Sequence, residues 1–139
     1  YCNKSPHYSW NSIFPAVKMI SKLRKAGICL SGSFLGIKGN GRDASGRLME
    51  LVVNMSGGIV RVKAKDFRNI LGPDIVRSAN FTVTRRGENI SLKGYGWGHG
   101  AGMCQWGAYF MSKSGNTFTE ILSFYYPGAS IINIRELGY

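Results

Sequence analysis

Apolar residues in the first part of the chain recur at helical spacing. Between Ile13 and Ala26, the residues Ile13, Phe14, Val17, Ile20 and Leu23 share one face, and Lys18, Lys22, Arg24 and Lys25 take the other. Gly27 is placed to stop that helix, and its late cations suit the helix dipole. Upstream, Tyr1 to Ser12 has no period and reads as irregular chain in which Trp10 packs. Beyond the helix the period shortens to two. Phe34 to Lys38 predicts a short strand, and Gly39-Asn40-Gly41-Arg42-Asp43 is turn chemistry. Arg47 to Met55 alternates, with Met49, Leu51, Val53 and Met55 on one side. Ser56-Gly57-Gly58 then reverses the chain into Ile59 to Lys63, the second arm of a hairpin.

The pattern alternates again downstream. Ala64 to Leu71 predicts a short helix ended by Gly72-Pro73, and Phe81 to Arg85 with Ile90 to Lys93 predicts a second hairpin around Arg86-Gly87-Glu88-Asn89. Met103, Trp106, Phe110 and Met111 then return to helical steps, with Trp106 expected in the core. Ser114-Gly115-Asn116 breaks that helix. Thr117-Phe118-Thr119-Glu120 fits a capping box that opens a last helix through about Tyr126, with Tyr125 and Tyr126 packing beneath the preceding loop. Pro127-Gly128 turns into a final strand, Ser130 to Ile134. There is no internal repeat, low-complexity tract or linker. The fold class expected is α+β, a single domain of antiparallel hairpins that could curl towards a barrel, with three to four helices packed around them.

One stretch fits neither period. Five glycines lie between Gly94 and Gly102, and between them stand Tyr95, Trp97 and His99, one of two histidines in the chain. Such a loop leaves bare backbone that can approach a ligand closely. Feeding a helix N-terminus, with His99 at the junction, it would favour an anion or a polar oxygen. A tight crossing of backbones would produce the same composition. The stretch is not a phosphate loop, because no Gly-Lys-Ser/Thr follows and no βαβ unit surrounds it.

Charge adds a partner class. Eighteen Lys and Arg against seven Asp and Glu give +11 over 139 residues, without a dense block. That balance points to an acidic partner. Nucleic acid, glycan exposing lactyl carboxylates, teichoic acids and anionic lipid heads all qualify, but no helix-turn-helix, zinc-finger or RNP-like motif is present. No apolar run is long enough to span a membrane. The three cysteines, Cys2, Cys29 and Cys104, form no CxxC pair. Neither His99 with Cys104 nor Cys2 with His7 amounts to a metal set, so neither metal nor cofactor is expected. A Cys2–Cys29 disulfide stays open. The chain begins Tyr-Cys, which reads as a processed or recombinant fragment.

Gly96-Trp97-Gly98-His99-Gly100-Ala101-Gly102-Met103-Cys104-Gln105-Trp106-Gly107-Ala108 resembles the signature of the sporulation stage II protein D (SpoIID) family, which includes the LytB amidase enhancers. Ser45-Gly46-Arg47, Phe67-Arg68, Leu71-Gly72, Arg77-Ser78 before Phe81, Glu120-Ile121-Leu122 and Tyr125-Tyr126-Pro127-Gly128 resemble further family positions in order, so the likeness runs from about Trp10 to Ile132. Cys104 departs from the serine usual there.

The resemblance implies a lytic transglycosylase that cleaves peptidoglycan strands stripped of stem peptides and leaves 1,6-anhydro-muramic ends. It places the general-acid glutamate in a Pro-x-Glu-like segment upstream of Tyr1. This chain would then be the carboxy-terminal part of the domain, needing its amino-terminal part as a partner. Trp97, His99, Gly100, Gln105, Arg77, Arg68 and Ser78 are the expected substrate-binding residues, with His99 able to support the glutamate. Of the chain's own carboxylates, Asp43, Glu50, Asp66, Asp74, Glu88, Glu120 and Glu136, none stands out as an acid beside the glycine loop, and Glu120 has a capping role. The expected setting is the bacterial cell envelope, exported and membrane-anchored in the parent, with a cell-wall amidase as a further partner and no nucleic acid. The alternative is a non-catalytic glycan-binding or amidase-enhancing module.

Overall fold

Pro15 decides where the first helix starts. Its ring fixes φ at −62° and keeps the preceding residue extended. The structure, a computed structural model, describes residues 1–133. In it Ser9–Pro15 is strand β1 and Ala16–Lys25 is helix α1. This corrects the helix expected from Ile13 and the irregular segment expected through Ser12. Ile13 and Phe14 belong to the strand, and the helical stripe is rotated: Ala16, Met19, Ile20 and Leu23 are buried, whereas Val17 is 74% exposed.

The chain divides into two compact units, His7–His99 and a second formed by Tyr1–Pro6 with the residues from Gly100 onward. The larger unit holds β1, α1, β2 (Phe34–Arg42), β3 (Leu48–Met55), β4 (Gly58–Lys63), α2 (Ala64–Leu71), β5 (Phe81–Arg86) and β6 (Asn89–Tyr95). The strands make two antiparallel sheets, β1-β6-β5 and β2-β3-β4. In the first, β6 is central, pairing Ser9 with Tyr95 on one side and Phe81 with Gly94 on the other.

β2 outlasts its expected end at Lys38 because Gly39, Asn40 and Arg42 stay in the ladder opposite β3. A Cβ on Gly39 would lie 2.7 Å from a Leu48 methyl, so the glycine makes room for a buried leucine rather than a turn. The turn falls at Asp43–Arg47 instead. There the Asp43 carboxylate accepts from the Ser45 hydroxyl at 2.6 Å and from the Ser45 and Arg47 amides at 2.8 and 3.0 Å. Met49, expected inside with Leu51, Val53 and Met55, is exposed, and Leu48 is buried in its stead.

The core gathers the inner faces of α1 and α2 with both sheets. Met19, Leu23, Leu51, Val53, Phe67, Phe81, Ile90 and Leu92 are all fully enclosed. Phe67 stacks on Phe81 at 6.2 Å. Each such side chain contributes about 1.5–3 kcal/mol relative to exposure. The hairpins do not close into a barrel. β2 and β5 face each other, yet among the described residues no backbone ladder joins them. Guanidiniums bridge the gap: Arg42 Nη2 donates to the Phe81 carbonyl at 2.8 Å, and Arg85 Nη1 donates to the Leu35 carbonyl at 2.6 Å.

In the smaller unit, Cys2–Lys4 forms a 3-10 turn, Gln105–Lys113 is α3 and Phe118–Tyr125 is α4. Among its described residues Gly107, Met111 and Ile121 are buried. The capping box is present: the Thr117 hydroxyl accepts from the Glu120 amide, and the Glu120 carboxylate accepts from the Thr117 amide at 2.7 Å. Trp106, expected in the core, is 39% exposed, and Met103 precedes α3 instead of lying on it. Helical spacing did not distinguish an aromatic face left in solvent from one that packs. Residues 130–133 are not in a strand, and Ile134 lies outside the described residues.

Three outcomes are expected. Arg42→Gln should lower the urea-unfolding free energy by about 1–2 kcal/mol through lost charge-assisted bonds. Arg61→Gln, which breaks the solvent-exposed pair with Glu50, should cost under about 1 kcal/mol. For Glu120, the Thr117 amide and then the Thr117 hydroxyl hold its carboxyl below the ordinary 4.5. A carboxyl depressed in the folded state stabilises above its unfolded pKa, and that stabilisation is lost as pH falls through the folded value. Thermal melts followed by circular dichroism should therefore fall from neutral to acid pH by less in Glu120→Gln than in the parent chain.

Candidate functional site

The glycine-rich turn starts where β6 ends. Gly94 cannot carry a side chain, because a Cβ there would meet the Trp10 indole at 2.3 Å and the Asn80 carbonyl at 2.8 Å. After Tyr95, every second residue takes a left-handed backbone: Gly96 at φ +71°, Gly98 at +105°, Gly100 at +78° and Gly102 at +85°. Only glycine adopts such values without strain, which accounts for the Gly-x-Gly-x-Gly-x-Gly pattern.

Within the larger unit, the start of this turn runs against residues 76–80. Gly98 forms a parallel bridge with Ser78 and donates its N–H to the Arg77 carbonyl at 2.8 Å. The same carbonyl accepts from Arg68 Nε at 3.3 Å. The Ser78 hydroxyl donates to the Tyr95 carbonyl at 2.6 Å and accepts from the Asn80 amide at 3.2 Å. The Tyr95 and Gly96 amides donate to the Asn80 and Tyr8 carbonyls at 2.9 and 3.0 Å. With so many fixed points, Trp97 is held at a defined place while 49% of it stays in solvent. The Arg77 guanidinium sits 5.1 Å from the centre of its ring system, and the His7 ring meets it edgewise at 4.7 Å. An exposed guanidinium–indole contact is worth about 0.5–1 kcal/mol, enough to orient Arg77 beside the indole.

The expected site residues thus fall into groups. Trp97 and Arg77 come together, with His99 exposed two residues on. Ser78, 1% exposed, and Arg68, half-buried, spend their polar atoms on the backbone that carries this pair. Gly100 and Gln105 belong to the smaller unit, where Gln105 is the exposed first residue of α3. There Cys104 caps α3, its sulfur accepting from the Gly107 amide at 3.4 Å, and the Met103 amide donates to the Tyr126 hydroxyl at 3.2 Å. His99 therefore does not stand at the helix junction, since residues 100–104 intervene. Sequence reasoning weighed His7 only as a metal companion of Cys2. Its place at Trp97 comes with the pairing of β1 to β6, and a period-two reading of Ser9–Pro15 would have been the signal. Cys29 is an exposed thiol outside any disulfide. Among the described residues no helix is long and apolar enough to cross a membrane.

Residues 2–102 match the family described as a domain of unknown function, DUF8618. The chain is 36% identical over 128 residues to the stage II sporulation protein D of Bacillus subtilis, covering 92% of this chain and 34% of that protein. It is 46% identical over 77 residues to an uncharacterized protein of Brachyspira hyodysenteriae, covering 55% and 21%. To the amidase enhancer of Bacillus subtilis it is 33% identical over 72 residues, covering 52% and 10%. The chain belongs to the DUF8618 family, and its likeness to stage II sporulation protein D and amidase enhancer supports the SpoIID/LytB family. It spans about a third or less of the length of these relatives.

Ser78→Ala is expected to remove the part-buried hydrogen bonds to the Tyr95 carbonyl and from the Asn80 amide. That should cost about 1–3 kcal/mol in urea unfolding.

Proposed function

We propose that this chain is the glycan-gripping, carboxy-terminal portion of a SpoIID-type lytic transglycosylase acting in the bacterial cell envelope on peptidoglycan strands freed of stem peptides. The observation that carries the reading is the half-exposed Trp97 with the Arg77 guanidinium beside it. An indole offers a flat apolar surface to the C–H face of a pyranose. A guanidinium fork suits the lactyl carboxylate that muramic acid exposes once its peptide is gone. His99 would hydrogen-bond an N-acetyl group or a ring hydroxyl, and Gln105 at the start of α3 would offer its carboxamide to sugar. Arg68 and Ser78 would act through the backbone they fix.

The reaction needs one acid. It protonates the glycosidic oxygen as the C1–O bond breaks. Its carboxylate then takes the proton of the muramic 6-hydroxyl as that oxygen attacks C1. Asp43, Glu50 and Glu120 are unsuited: hydrogen bonds from Ser45, Asn40 and the Thr117 amide, respectively, lead the causes holding their carboxyls below the usual range, the reverse of what a general acid requires. A glutamate from the rest of the parent protein would supply the proton. The relative named amidase enhancer favours a second reading, a non-catalytic module that binds glycan and assists an amidase.

Trp97→Ala, Arg77→Gln and His99→Ala in the full-length parent should each weaken binding to stripped glycan strands by about tenfold, or about 1.4 kcal/mol, with the melting temperature nearly unchanged. Unchanged binding would refute the site. Mass spectrometry of strands digested by the parent separates the readings, because only a transglycosylase leaves 1,6-anhydro-muramic ends.

A further inference from the structure

A concave feature of the larger unit lies away from the glycine turn. Between α1 and the start of β2 runs an open groove of about 350 Å³. Val17, Ile20, Phe34 and Met55 give it an apolar lining, and Arg24 and Arg85 also line it. Both arginines are fixed by neutral acceptors. Arg24 donates through Nε and Nη2 to the Leu30 carbonyl at 3.0 and 2.8 Å, and through Nη2 to the Gly32 carbonyl at 3.2 Å. Arg85 donates through Nε to the Gly87 carbonyl at 2.8 Å, and through Nη1 to that of Leu35 at 2.6 Å, with its guanidinium 5.3 Å from the centre of the Phe34 ring. Among the described residues neither enters an ion pair, and Arg24 Nη1 and Arg85 Nη2 make no hydrogen bond. Glu88 is the one carboxylate in the lining; against two guanidiniums and a chain of +11 it leaves the balance cationic.

Pre-positioned guanidiniums around an apolar strip select a ligand with both an apolar body and carboxylates. The groove opens to solvent, and Val17 on its wall is 74% exposed. Sites that hold small molecules enclose most of the ligand, whereas a length of polypeptide laid in this groove would cover the strip. We propose that the groove docks a short acidic segment of a partner protein, with one apolar side chain over Val17, Ile20 and Phe34 and a carboxylate on Arg24. Seven helical steps from Val17 to Arg24 span about 10 Å, which roughly three residues of extended chain cover. The segment therefore carries its acid about three positions from its apolar anchor, and a second acid on the far side meets Arg85.

The test uses a fluorescein-labelled peptide, Glu-Ala-Ala-Leu-Ala-Ala-Glu, its Gln-Ala-Ala-Leu-Ala-Ala-Gln counterpart, and fluorescence anisotropy with the whole chain. The acidic peptide should bind, and the glutamine peptide should bind at least about tenfold more weakly. Val17→Glu should weaken acidic-peptide binding by about tenfold or more with an unchanged melting temperature. α1 has no acidic residue in its first turn, and a carboxylate there suits the helix dipole. Ile59→Glu, on β4 at the sheet edge opposite β2, should leave binding intact. Equal weakening by both substitutions would reduce the effect to the diffuse basic surface and overturn the proposal. So would no binding at millimolar peptide, or Val17→Glu acting only on phosphatidylglycerol vesicles or on self-association. Stripped-glycan binding should be untouched by Val17→Glu, so failure here and failure of the Trp97 site are read separately.

Discussion

The gap between β2 and β5 is the constraint on which the larger unit depends. Two three-stranded sheets meet edge to edge there without a shared backbone ladder. The free carbonyls of both edges would face partial desolvation beside a closed core. Two arginines, one from each strand, resolve this reciprocally by donating across the seam to Phe81 and Leu35. A guanidinium keeps its charge at any working pH and carries several donors in one plane, so it spans a gap too wide for an N–H···O bond. Phe67 and Phe81 lie fully buried in the core of the same unit, stacked on each other.

The same arrangement sets out the two surfaces discussed above. Residues 72–80, running from α2 back to β5, pass alongside the turn after β6, and Ser78 and Asn80 tie the two together. That contact carries Arg77 to Trp97. At the other end of β5, Arg85 reaches over Phe34 into the groove beside α1. One strand thus separates a rigidly mounted indole from an amphipathic slot, and the core beneath serves both.

Much of this was legible in the residues. The turn at Ser56-Gly57-Gly58, helix α2, the second hairpin and the Thr117–Glu120 capping box all rest on local signals, and local signals are what a single sequence carries. The errors share a cause. β1 was missed because its partner β6 lies far along the chain and because Ile13, Phe14 and Val17 imitate a helical stripe across a proline that forbids one. Gly39 and Gly41 read as a turn because the leucine that one of them accommodates is invisible without the register. For the candidate site, the glycine motif points to Trp97 and His99, and the family resemblance adds Arg77. The contact between Arg77 and the indole, and the approach of His7, come from strand pairing that no spacing rule encodes. Trp106 was placed in the core by periodicity alone, which reports a face and not what lies against it.

The alternating left-handed backbone at Gly96, Gly98, Gly100 and Gly102 has a consequence for how this segment tolerates change. At the even positions the dihedral angles strain any residue that carries a side chain, whatever its surroundings. The odd positions between them, Trp97, His99 and Ala101, carry no such bar. Sequence drift through this turn is therefore confined to every second site, and chemistry can be exchanged there without redrawing the path of the chain.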